Sequence, residues 1–202
     1  MPHAPQLWPY ILTPTDEVAA VKDLYAHLAG LHYSVQAWEA GLLLFVTAKN
    51  PPPSISHNVA RRWQFVACSE CILELFHLRA RLEKILSVKL RNCPSIRPFV
   101  EVTKIKEARR TLDEYFPDVE ALRHAIAHKG QNEAHSESHA PDGKFSLFGF
   151  REPNKFSAPH DGALRSMDMT NESLQRIAEV VAKYLSAFEK AALNLKNQGH
   201  LD

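Results

Sequence analysis

The chain holds three cysteines, and an odd number does not close a disulfide framework. That argues against a stapled secreted scaffold and for a reducing compartment. No long hydrophobic run is present: the longest, Leu42 to Val46, is far too short to span a bilayer. Met1 to Leu12 lacks the basic start and apolar stretch of a secretory leader. The expectation is a cytoplasmic protein that does not enter a membrane. Net charge is only +1, so global charge does not announce nucleic acid. The Walker A loop, the Rossmann glycine fingerprint and the Gly-x-Ser-x-Gly elbow are all missing.

What remains is an ordinary globular composition, 45% hydrophobic and 23% charged, in 202 residues. That length suits one domain, 1–202, with a good-sized core. The charge is unevenly spread. Phe76 to Arg110 carries ten Lys and Arg against three Asp and Glu, leaving a net −6 for the rest of the chain. Such a stretch is either a solvated face of long helices or a phosphate-facing surface.

The hydrophobic pattern is helical almost throughout. Thr13-Pro14-Thr15-Asp16 reads as a helix start, with Thr13 as cap and Pro14 at the first position. Val18, Val21, Tyr25, Leu28 and Leu31 follow, Gly30 offers an interruption, and Pro51-Pro52-Pro53 ends the segment. A long helix is expected from Ser56 to Asn92, with two adjacent apolar stripes that demand more than one neighbour. A third is expected over Phe99 to Phe116. Pro117 breaks it, and a short helix follows with Asp118 and Glu120 in its first turn and Val119, Leu122 and Ile126 on its apolar face. From 130 to 169 the helical period disappears, and the stretch reads as a functional or partly β insertion. Within it, Lys144 to Arg151 suits one arm of a hairpin. Thr170 then caps a last helix burying Leu174, Ile177, Val181, Tyr184, Leu185 and Phe188. The fold class is therefore all-α: a bundle of about five helices with a small irregular or β-hairpin insertion before the last.

The short helix carries Arg123-His124-Ala125-Ile126-Ala127-His128, followed by Lys129-Gly130. A guanidinium holds a phosphate through two parallel hydrogen bonds, and an imidazole moves a proton near neutral pH. Lys129 and Gly130 suit a helix end. Arg123, His124 and His128 resemble the signature of the HEPN superfamily (higher eukaryotes and prokaryotes nucleotide-binding domain). That signature is an Arg, a polar neighbour, and a His late in the same helix. The resemblance covers most of the chain, with long helices before the motif, an insertion after it, and a closing helix. It implies a helical homodimer, often a ribonuclease whose site is shared between protomers. In that reading RNA is cleaved by its own 2′-hydroxyl without a metal or other cofactor. His128 acts as general base or acid, Arg123 holds the scissile phosphate, and His124 orients His128 or relays a proton. Some relatives pair with a nucleotidyltransferase that modifies a Tyr soon after the His; Lys129, Gly130 and Gln131 stand there instead, so that arrangement does not carry over.

On an ideal helix the five positions from Arg123 to His128 turn through about 140°, so the two do not share a face. Either the helix unwinds before Lys129, or a second copy of the segment completes the site across a two-fold axis. The competing reading is a non-catalytic helical dimer that binds a nucleotide or a protein partner and uses both residues to tie helices together. A weaker one is a zinc hydrolase on His124, His128, His135 and His139, two pairs at the four-residue spacing that chelates on a helix. Lys129, Lys144 and Arg151 are the cations expected to touch RNA. Phe145, Phe148, Phe150 and Phe156 stand among Lys144, Arg151 and Lys155, a mixture that either stacks on unpaired bases or pins the insertion onto the bundle. Cys68-Ser-Glu-Cys71 lies in an apolar helical stripe and reads as buried thiols.

Overall fold

A computed structural model describes residues 16–128 and 149–198. Among these are six α-helices and one three-stranded sheet. In chain order they are α1 (Val18–Lys49), α2 (His57–Lys84), α3 (Val102–Tyr115), α4 (Val119–Ala127), β1 (Gly149–Glu152), β2 (Lys155–His160), β3 (Ala163–Asp168), α5 (Asn171–Ser186) and α6 (Glu189–Gln198). The fold is mostly α with a small β insertion, as the periodicity implies. The Thr13-Pro14 helix start lies outside the described residues.

α1 does not stop at Gly30. The flanking Leu28 and Leu31 are fully buried, and Arg81 Nη1 donates to the Gly30 carbonyl at 3.0 Å. This anchoring outweighs the roughly 1 kcal/mol that glycine costs inside a helix. Beyond α2, the chain keeps turning to Asn92, as expected, but with altered hydrogen bonding. Ile85–Lys89 forms a π turn and Leu90–Asn92 a 3-10 turn. Ile85 and Leu90 are both buried although five apart. An α-helix would separate them by about 140°; the wider π turn reduces that angle.

The expected last helix is two. Thr170 does cap it, its hydroxyl accepting the Ser173 N–H at 3.2 Å. At Ala187 the carbonyl accepts the Glu101 N–H at 2.9 Å, so the helical ladder is interrupted there, and α6 begins at Glu189.

The described chain falls into two compact units of non-contiguous segments. The first contains the start of α1, the end of α2, α3, most of α5 and α6. Here six of the ten cations between Phe76 and Arg110 have protein partners. Arg79 meets Asp113 at 2.9 Å, Arg109 meets Glu83 at 2.7 Å, Lys104 meets Glu101 at 3.3 Å and Arg110 meets Glu114 at 3.4 Å. Lys89 pairs with Asp23, and Arg81 turns inward to Gly30 and Ser34. Most of the local positive excess is thus matched by carboxylates or backbone. Such pairs contribute little stability individually.

The second unit contains the rest of α1, most of α2, α4 and the sheet. β2 is the central strand, antiparallel to β1 and to β3. The β2–β3 hairpin turns on Asp161-Gly162, with φ of 48° and 71°. Two left-handed residues in a two-residue loop make the type I′ turn, whose twist matches that of the strands. The β1–β2 connection is Pro153-Asn154, beside a register shift between Phe150 and Glu152. Phe150 and Phe156 pin the sheet to the helices. Phe150 lies 5.3 Å from Phe45 of α1, and Phe156 lies edge-on to Phe65 of α2 at 5.9 Å. Lys49 Nζ also donates to Asn154 Oδ1 at 2.7 Å.

α1 and α2 approach closely at Gly41. A Cβ built there would lie 2.4 Å from Cys71 Sγ. Cys68 and Cys71 are fully buried, and burial pushes both thiols up, Cys71 to about 12. They are packing groups, as their place in an apolar stripe predicts.

Candidate functional site

α4 stands on the sheet, in contact with β2 and β3. Its start is fixed by Asp118, as the sequence suggests, but not through the helix dipole alone. Asp118 is the N-cap residue without bonding its own helix through the side chain. Its carboxylate instead accepts the Ser166 N–H of β3 at 3.0 Å and meets Arg165 at 3.3 Å. Val119 and Leu122 are buried and Ile126 half-buried, which sets the helix's rotation on the sheet.

α4 ends at Ala127. His128 is the C-cap residue, its N–H donating to the His124 carbonyl at 3.0 Å. Its backbone departs from helical angles, yet its side chain stays on the His124 face. The two imidazoles are stacked, with centroids 6.2 Å apart and planes 10° from parallel. The helix end therefore does not swing His128 toward Arg123.

Arg123 lies elsewhere on α4. Its guanidinium sits 4.7 Å from the centroid of Phe76 on α2. A guanidinium that uses its flat face on a ring keeps its in-plane N–H groups for a planar anion. The residue is half-buried.

One further ring that the sequence does not single out joins this face. His160, the last residue of β2, stacks on His124 from the sheet, with centroids 5.8 Å apart and planes 13° from parallel. Three imidazoles thus form a row: His128 exposed, His124 half-buried in the middle, His160 beside the Asp161-Gly162 turn. His160 Nε2 also lies 3.4 Å from Asp161 Oδ2. The signal for the hairpin was present, since Asp-Gly between strand-forming residues marks a type I′ turn. No pattern in the sequence couples His160 to a helix more than thirty residues before it.

Near-parallel rings do not aim their nitrogens at one point. Among the described residues, no group of three or more His, Cys, Asp or Glu is arranged to hold a metal ion. His135 and His139, the other half of the chelating pattern, lie outside the described residues. So do Lys129, Lys144, Phe145 and Phe148. Arg151 lies in β1, where its backbone alone is described. A surface cleft of about 400 Å³ is lined by α2 and α3 residues, including Leu82, Glu83, Ile105 and Arg109, with none from α4. No helix among the described residues is long and apolar enough to cross a membrane.

Comparison with known proteins adds no assignment: no family model, curated protein or solved structure matches the chain.

Proposed function

We propose that α4 carries an RNA-binding site of HEPN-like type, active as a metal-independent endoribonuclease when two copies of the chain meet. The observation that supports this reading is the partly exposed row of imidazoles, from α4, its C-cap and the end of β2, beside the Arg123 that α4 also carries. Both chemical needs of phosphodiester cleavage are present within six residues: groups that move protons, and a cation held against a ring.

The reaction follows from those groups. A histidine takes the proton of the RNA 2′-hydroxyl, and that oxygen bonds to the adjacent phosphorus. The bond from phosphorus to the 5′-oxygen breaks, a second imidazole protonates the leaving oxygen, and a 2′,3′-cyclic phosphate remains. Arg123 stabilises the charge that builds on the phosphate oxygens. Within one chain Arg123 faces Phe76 and His128 faces His124, so the imidazole and the guanidinium that act on one phosphate come from different copies. A C2 contact supplies such an arrangement twice.

The test is RNA cleavage by the purified protein in excess EDTA, for wild type, His128→Ala and Arg123→Ala. Wild-type cleavage that leaves cyclic phosphate ends and is lost in both variants supports the proposal. Equal activity in all three refutes the residue assignment. The contact of Arg123 with Phe76 favours one second reading, a non-catalytic helical dimer in which Arg123 ties α4 to α2. On that reading no RNA is cleaved, and Arg123→Ala lowers stability rather than activity.

A further inference from the structure

We propose that His128 is a stacking platform for an unpaired nucleobase, extending the row of parallel rings by one member. This rests on the RNA reading above and narrows its substrate to single-stranded RNA.

Aromatic rings at 4.5–7 Å between centroids attract one another in offset-stacked arrangements. His160 and His124 satisfy that at 5.8 Å, and His124 and His128 at 6.2 Å, with all planes close to parallel. His124 is the common partner of both and is half-buried. His128 ends the row and is exposed, and among the described residues no ring other than that of His124 stacks on it. A row of parallel rings with one exposed end is a half-built stack. A base is the planar group that RNA offers to such an end, and any of the four bases has a suitable face. A base within a duplex is already stacked on both sides and is not available.

The two inner rings are anchored. His160 is held at a strand end by a type I′ turn, at Asp161 and Gly162. His124 is carried by a helix whose N-cap residue, Asp118, accepts the Ser166 N–H of β3. Helix and hairpin thus fix the plane in which His128 presents its face, independent of any proton it transfers. The aromatic ring and the acid–base nitrogen of His128 become separable roles.

The experiment uses the full chain and a single-stranded oligoribonucleotide with one 2-aminopurine, whose fluorescence falls on stacking. A matched oligonucleotide with an abasic site at that position is the control. Wild type is expected to quench the probe and to bind it about 10- to 100-fold tighter than the abasic control. His128→Ala removes that preference. His128→Phe retains binding and quenching while losing cleavage, because it keeps a ring and loses the nitrogens. His160→Ala weakens quenching without touching the motif helix. If RNA binds with equal affinity to wild type, His128→Ala and His128→Phe, the platform is refuted while the RNA site stands. If wild type binds neither oligonucleotide, the RNA reading itself falls.

Discussion

Replacing Gly41 by alanine tests the packing of α1 on α2. In a helix interior this change ordinarily stabilises by about 1 kcal/mol, because alanine has the higher helix propensity. Gly30 in the same helix is the internal standard. A Cβ there meets nothing within 4 Å, so Gly30→Ala should realise that gain. At Gly41 the new Cβ would lie 2.4 Å from Cys71 Sγ and 3.4 Å from the Ala67 carbonyl. Sγ is on a short, buried side chain, 3.7 Å from the Trp38 carbonyl. Forcing a methyl group into such a site costs about 1–3 kcal/mol. The net effect is a loss of up to about 2 kcal/mol, which places Gly41→Ala about 1–3 kcal/mol below Gly30→Ala. Urea unfolding of both variants measures the gap. The cycle closes with Cys71→Ala. Without Sγ the next close atom of that residue is its Cβ at 4.0 Å, ordinary van der Waals contact. In that background Gly41→Ala should behave like Gly30→Ala. A gap that persists without the sulfur would refute the assigned clash.

Three further outcomes are expected. His27 is held below its ordinary value of 6.5, first by burial and then by the Lys89 charge; Arg81 also lowers it, whereas its bond to the Arg81 carbonyl and the Asp23 charge work the other way. Its contribution to stability is complete above pH 6.5 and lost as pH falls through the lower folded value, so urea midpoints at pH 7.5 and pH 5 should differ less in His27→Gln than in wild type. Cys68, Cys71 and Cys93 are buried with raised thiol pKa values, so an aromatic disulfide reagent at pH 8 should modify none in the native protein and all in urea. Prompt labelling of the folded chain would contradict that packing. Gly162→Ala places a side chain at a φ of 71° and should cost about 1–2 kcal/mol in urea unfolding, with amide exchange rising first across β2 and β3.

The helices were legible because each announces itself locally. Pro51 to Pro53, Pro117 and Thr170 mark boundaries through backbone rules that act within a few residues. Deviations arose where a distant group intervened. The Glu101 amide takes the Ala187 carbonyl and divides the closing helix, while Arg81 helps to carry α1 through Gly30. The candidate site was half legible for the same reason. Arg123 and His124 lie in one short helix and His128 caps its end, so helical spacing already indicates the separation of Arg123 from His128. His160 and Phe76 reach that helix only through folding. An Asp-Gly turn foretells a hairpin, not the ring that its strand end presses against.

The bond from Asp118 to the Ser166 amide has a meaning beyond the placement of α4. Among the described residues β3 is an edge strand, and an edge strand offers its unpaired amides to any other extended chain. One side chain that starts a helix also occupies the amide of that edge at its middle, with the Arg165 guanidinium beside it. The same contact that orients the catalytic candidates therefore works as a guard against strand-to-strand polymerisation. Loosening α4 would expose the edge at the moment the imidazole row comes apart, joining loss of the candidate site and self-association in a single event.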